Sequence, residues 1–260
     1  MANNNHYWNN KEQRAERAKQ HTILMEKIYG SYIQNSIDHT VVYGPEEVKI
    51  KKERKGGLPE IIVTNADTVT AILAAQELQA KVAALNFASY KNPGGMFMNG
   101  SKAQEECLCH ESFLYNVLSK MKDYYSWNDK NKNKALYLNR ALYTPNIFFY
   151  RKLNDLKRFC DVITCAAPNY TTAAKYQGVS LEENSKILES RIQFVLDIAE
   201  KEQVEILILG AYGCGVFGQN PIEVATLFKN HLEGREFKQV IFAVPGDDAN
   251  FVAFNNLYGE

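Results

Sequence analysis

The sequence predicts an α/β fold in which one sheet is covered by helices on both faces. Three observations carry that prediction. Nearly continuous apolar phrases such as residues 204–209 recur along the chain, as strands buried on both faces require. These phrases alternate with longer stretches of helical periodicity from about residue 40 onward. No internal repeat or low-complexity linker interrupts the alternation. The 260 residues suffice for a sizeable core, and 45% hydrophobic with 23% charged residues is ordinary for a globular chain. The pattern leaves the order of the strands open.

Residues 8–35 are charged and polar, with Ile23, Leu24, Ile28, Tyr29 and Ile33 recurring at near-helical spacing. They predict one long amphipathic helix whose later half packs on the body, with Asn3, Asn4, Asn5, Asn9 and Asn10 fraying before it. Residues 1–39 therefore read as an N-terminal helical extension and residues 40–260 as the body. In the body, residues 40–43 and 60–64 are strand phrases, and residues 67–78 a helix with Asp67 as N-cap. Residues 81–87 form a third strand, followed by a glycine-containing loop and a helix over 103–121. The polar stretch 123–134 reads as an exposed connection. Residues 136–150, rich in aromatic and β-branched types, predict two short strands around Thr144-Pro145. Then come a strand at 161–167, a helix at 182–201, a strand at 204–209, a helix at 221–232 with Pro221 in its first turn, and a strand at 239–244.

Lys plus Arg and Asp plus Glu are each 30, so no global field draws in nucleic acid or an anionic membrane. Sequence-specific nucleic-acid binding is not expected. No uncharged apolar run approaches the ~20 residues of a membrane span, and the polar start, Met1-Ala2-Asn3-Asn4-Asn5-His6, lacks the order of a signal peptide. Five cysteines without framework spacing fit a reducing compartment. The chain reads as cytoplasmic.

In open α/β sheets, ligands sit beyond the carboxyl ends of strands, and two glycine loops occupy such places. Gly210-Ala211-Tyr212-Gly213-Cys214-Gly215-Val216-Phe217-Gly218 has four glycines in nine positions and leads into a helix. Its N–H groups suit an anionic cradle for a diphosphate. No Lys-Ser or Lys-Thr closes it, so it is not a Walker A loop. Glycine content alone fits a packed strand-to-helix turn equally well. The other loop, Asn92-Pro93-Gly94-Gly95, precedes Gln104-Glu105-Glu106 at the start of a helix. Neighbours on a helix point roughly 100° apart, which suits two glutamates to divided roles, one at sugar hydroxyls and one at a reacting bond. A glutamate pair in a first turn also merely complements the helix dipole.

Three other features are weighed. Cys107-Leu108-Cys109-His110 resembles a metal motif, but i and i+2 face apart and no second cluster exists; buried small residues plus a surface histidine fit better. No metal or cofactor is expected. Cys214 reads as a small residue whose N–H binds rather than as a nucleophile. Phe148-Phe149-Tyr150-Arg151, with Lys152 and Lys157, reads as a buried strand edge rather than a nucleic-acid platform.

Taken together, Asn86-Phe87-Ala88-Ser89-Tyr90-Lys91-Asn92-Pro93-Gly94-Gly95-Met96-Phe97 and Ala103-Gln104-Glu105-Glu106 resemble the signature of the microbial-type poly(ADP-ribose) glycohydrolases. The resemblance covers most of the chain and implies a macrodomain-like mixed sheet flanked by helices. It implies hydrolysis of the ribosyl bond in poly(ADP-ribose) or ADP-ribosylated macromolecules. Carried over by position, Glu106 is the catalytic acid, and Glu105 holds the ribose hydroxyls. Gly94 and Gly95 surround the reacting ribose, which Asn86 helps to fix, with Gln104 and Met96 beside them in the binding group. Gly213, Cys214, Gly215, Val216 and Phe217 wrap the diphosphate, and Phe217 packs on a ribose or the adenine. Asp67 is a candidate for adenine. One departure stands out: Met96 replaces the third glycine of the family triplet. If that position needs a positive φ, methionine strains the loop, and an ADP-ribose-binding module without turnover becomes the alternative.

Overall fold

A computed structural model describes residues 10–45, 47–48, 57–75, 79–151 and 156–259. The described chain opens with α1 (Lys11–Asp38), capped by Asn10, whose side chain accepts from the Gln13 N–H at 3.1 Å. Helix α1 packs through Arg14, Ala18, His21, Met25, Ile33 and Ser36, while Ile23, Leu24 and Ile28 are exposed. Apolar periodicity therefore selected the wrong face for its middle. Arg14 and His21 bury because body carbonyls satisfy them: Arg14 Nε donates to Gly100 O at 2.6 Å and His21 Nε2 lies 2.7 Å from Ser112 O. Asn3, Asn4, Asn5 and Asn9 lie outside the described residues.

The body follows as β1 (Val41–Tyr43), β2 (Glu60–Thr64), α2 (Thr68–Ala74), β3 (Val82–Phe87), α3 (Gln104–His110), α4 (Leu114–Leu118) and α5 (Lys122–Lys130). After these come β4 (Ala141–Arg151), β5 (Leu156–Cys165), α6 (Tyr170–Gln177), α7 (Leu181–Lys201), β6 (Ile206–Leu209), α8 (Pro221–Leu232), β7 (Gln239–Ala243) and α9 (Ala249–Tyr258). The seven strands form one mixed sheet in the order β1-β4-β5-β3-β6-β7-β2. Five of them, β5-β3-β6-β7-β2, run parallel, and β4 is antiparallel to both neighbours. Alternation along β3 sends Ala83 and Leu85 to one core with α7, α8 and α9, and Val82 and Ala84 to the other with α1 to α5. No described helix is long and apolar enough to cross a membrane.

Four local differences from the sequence reading have physical causes. The helix expected over 103–121 breaks after His110, where Ser112 Oγ donates to Leu108 O at 2.7 Å and accepts from the Leu114 N–H at 3.0 Å. Such local bonds compete with the helical ladder. The stretch 123–134 is not an exposed loop: α5 buries Tyr124, Tyr125 and Asn128, and Asn128 Nδ2 donates to Tyr90 O at 2.8 Å. Thr144-Pro145 does not divide two strands, because a bulge between Thr144 and Ile147 absorbs the proline within β4. Helices α6 and α9 were not expected at all. The expected helix at 67–78 is described to Ala74, and residues 76–78 lie outside the described residues. Phe148 and Phe149 are buried in β4, as expected of that run, and Lys152 lies outside the described residues.

Candidate active site

Strands β3 and β6 both deliver a loop to the carboxyl end of the parallel strands. After β3, the chain doubles back through a pair of tight turns, with Gly95 N–H donating to Asn92 O at 3.0 Å and Phe97 N–H to Gly94 O at 3.1 Å. Gly94 and Gly95 sit at φ +65° and +62°, where a side chain is strained. Space forbids one as well. A Cβ on Gly94 would come within 2.7 Å of the Tyr115 ring, and one on Gly95 would overlap Glu106 Oε1. The glycines thus let the backbone lie directly on the carboxylates of α3.

The two glutamates are buried in the first turn of α3 yet differ in what they touch. Glu105 Oε1 accepts from Asn86 Nδ2 at 3.2 Å and Oε2 from the Ser89 N–H at 2.7 Å. Burial pushes its carboxyl up to about 8, against the opposing pull of the Ser89 and Asn86 donors. Glu106 Oε1 accepts from the Met96 N–H at 2.8 Å, while its Oε2 is buried with no hydrogen-bond partner among the described residues. Unmatched acceptors of this kind are rare in folded proteins.

Asn86 stands beneath the pair, fully buried, with Nδ2 also 3.3 Å from Thr164 Oγ1. Gln104 is tied to the strand: its Nε2 donates to Leu85 O at 2.8 Å and its Oε1 accepts from the Phe87 N–H at 2.9 Å. Both ends of its amide therefore hold α3 against β3. Met96 has φ −110°, with its side chain 44% exposed. A positive φ is needed at the two preceding residues and not at this one, so methionine introduces no backbone strain.

The second loop lies across from the first. Gly213 and Gly218 adopt φ +77° and +74°; a Cβ on Gly213 would press on Ala167 and Gln219, and one on Gly218 on Thr171. Gly215 faces open space, and Val216 is 86% exposed. The N–H groups of Gly215, Val216 and Phe217 have no acceptor among the described residues. They remain available to an anion. Cys214 is half-buried, and burial pushes its thiol up to about 12, which leaves no thiolate for nucleophilic attack. His110 is buried against Phe97 rather than on the surface, and no cluster of three metal-ligating side chains occurs among the described residues.

Beside the starts of α2 and α3 and the end of β7 opens a cavity of about 250 Å³ whose walls include Asp67, Phe87, Gln104, Ala211, Val244 and Asn250. Asp67 caps α2 and pairs with Arg151 at 3.1 Å. Burial raises its carboxyl, but the Thr70 N–H and Arg151 outweigh this and hold it low. A further aromatic, Tyr137, went unread in the sequence. It stacks on Tyr90 at 4.2 Å and meets Phe217 edge-on at 6.3 Å, so it joins the two loops. Its φ of +63° follows three other left-handed residues, Asn133, Lys134 and Ala135. No glycine marks that run, so composition gave no signal for it.

The sequence matches the family described as the microbial-type PARG catalytic domain over residues 3–152, more than half of the chain. No curated protein matches it. Among solved structures, it is similar to poly(ADP-ribose) glycohydrolase from Thermomonospora curvata at 28% identity and TM-score 0.84, covering 94% of this chain and 99% of that one. The complex of the same protein with the inhibitor ADP-HPD gives 28% and 0.83, covering 95% and 99%. Poly(ADP-ribose) glycohydrolase from Deinococcus radiodurans in complex with ADP-ribose gives 30% and 0.78, covering 86% of this chain and 96% of that one. With its glycine loop, paired glutamates and mixed sheet in place, the chain belongs to the microbial-type poly(ADP-ribose) glycohydrolase family.

Proposed function

We propose that the protein hydrolyses the ribosyl bond of ADP-ribose in poly(ADP-ribose) or ADP-ribosylated targets and releases ADP-ribose. The observation that carries this reading is Glu106: one oxygen is fixed by the Met96 N–H, and the other is buried beside a glycine loop without a partner among the described residues. Solved relatives that hold ADP-ribose and ADP-HPD support the choice of ligand. In the bound state the adenosine occupies the cavity beside Asp67 and Phe87, and the diphosphate lies on the free N–H groups of Gly215 to Phe217. The distal ribose meets Gly94, Gly95 and the glutamates. Asn86 and Gln104 act through others, the first by orienting Glu105 and the second by fixing α3 to β3.

Cleavage passes through an oxocarbenium-like state. Glu106 gives its proton to the leaving oxygen as the C1″–O bond breaks. Water then adds to C1″ and returns a proton to the Glu106 carboxylate. Burial holds the Glu105 carboxyl above its ordinary range, which favours its neutral form beside the anionic substrate. A binding module without turnover rested on strain at Met96, and the backbone there carries none. The free cysteines support a cytoplasmic location.

The deciding experiment compares the parent with Glu106→Gln. The parent releases ADP-ribose from poly(ADP-ribose). The variant binds ADP-ribose by calorimetry but turns over roughly a hundredfold or more slowly, the scale of general acid catalysis. Full turnover by Glu106→Gln sinks the assignment, and no binding by either protein rejects the ligand.

A further inference from the structure

Helix α1 is usually the part of such a chain one would treat as an appendage, yet its contacts gather on the catalytic machinery. Arg14 is buried, and its Nε donates to Gly100 O at 2.6 Å, at the end of the turn that follows Met96. Gly100 has φ +76°, and a Cβ there would overlap the backbone carbonyl of Lys11, so α1 runs against the turn with no room between. The same turn is closed by Asn99 N–H and Ser101 N–H, which both donate to Met96 O at 3.0 and 3.2 Å. Met96 in turn donates its N–H to Glu106.

The other end of α3 is held by the same helix. His21 Nε2 lies 2.7 Å from Ser112 O, in the break that ends α3, and Asn116 Nδ2 donates to Thr22 O at 3.0 Å. Phe97, fully buried, is wedged edge-on between the rings of His21 and His110, at 6.4 and 4.7 Å. Helix α1 therefore brackets α3, the element that carries both glutamates, at each end.

We propose that α1 is a built-in clamp on the catalytic loop, with Arg14 as the positioning residue that fixes Glu106 through Gly100 and Met96. A buried guanidinium carries a desolvation penalty that a methionine of similar length would avoid, and its Nε lies on the Gly100 carbonyl, between the Asn99 and Ser101 N–H groups that close the turn on Met96 O. The clamp acts on the glutamate geometry. The diphosphate cradle is built from the loop after β6, and the Asp67 cavity shares only its α3 wall with the clamped element, where Gln104 is tied directly to β3, so turnover falls further than affinity.

The proposal rests on the glycohydrolase reading, and hydrogen exchange keeps the two distinguishable. In Arg14→Met, exchange of the amides of residues 94–101 rises by about tenfold or more, while those of β3 stay unchanged. The kcat for ADP-ribose release falls by about tenfold to a hundredfold, as small misplacements of catalytic groups do. The Kd for ADP-ribose measured by calorimetry moves by less than about threefold, and Arg14→Lys, whose ammonium still reaches a carbonyl, recovers much of the loss. Gly100→Ala breaks the clamp from its other side and carries the test if Arg14→Met does not fold. A folded variant with kcat within twofold of the parent overturns the proposal. So does a kcat and Kd that worsen by the same factor, or unchanged exchange at 94–101. A parent without ADP-ribose release defeats the functional reading instead, and the exchange result still judges the clamp.

Discussion

Replacing Glu105 by glutamine isolates the energetic consequence of burying that carboxyl. Its folded value is raised from 4.5 to about 8, chiefly by burial and further by its neighbour Glu106. Because the folded value lies above the unfolded one, stability is fully present below about pH 4.5. It declines as pH rises toward 8 and levels off once the folded carboxyl also ionises. At ~1.4 kcal/mol per pH unit, the decline over that window is up to about 5 kcal/mol. Glutamine removes the charge and keeps one acceptor for the Ser89 N–H. Its new NH2 can meet Asn86 Oδ1, which is buried without a partner among the described residues, once the Asn86 amide turns over. Urea unfolding reads the difference. At pH 8.5 Glu105→Gln is expected to exceed the parent by ~2 kcal/mol or more, and at pH 4.5 by less than ~1 kcal/mol. A difference that stays constant between these pH values refutes the elevated carboxyl and with it the neutral role given to Glu105.

Two further substitutions probe the glycine loop. Gly95→Ala places a Cβ at φ +62° against Glu106 Oε1; it should keep a native circular dichroism spectrum, lose ~1–2 kcal/mol of stability, and lower turnover by about a hundredfold. A Gly95→Ala protein with parental turnover contradicts the close packing of backbone on carboxylate. Met96→Gly, at φ −110° and a half-exposed position, should change kcat by less than about threefold, and a gain of tenfold or more would show that the methionine side chain restricts the site.

The family, the two loops and the divergent directions of the two glutamates were legible in the chain because each depends on residue types at short spacing. Gly94 and Gly95 must be glycine where φ is positive, and two glutamates in one helical turn must diverge. Most strands were legible too, since burial on both faces leaves a run of apolar residues wherever it occurs. Residues 60–64 and 221–232 matched the observed elements at both ends. Local reading failed where side-chain bonds, near or distant, decided the outcome. Ser112 broke a helix because its hydroxyl found Leu108 and Leu114. Asn128 helped bury α5 because Tyr90 offered a carbonyl.

By itself, then, the sequence determined the alternation of strands and helices, the placing of glycine loops after β3 and β6, and two adjacent glutamates in the first turn of a helix. Those are consequences of backbone freedom and periodicity, which act within a few residues. Only the tertiary structure decided the strand order β1-β4-β5-β3-β6-β7-β2, the bracket of Tyr137 between the loops, and which face of α1 is buried. It also decided how Glu105 and Glu106 differ: one has both oxygens held by donors, and the other has one oxygen without a partner among the described residues. Hydrogen-bond satisfaction and desolvation depend on groups brought together from far along the chain, and spacing in the sequence does not record them.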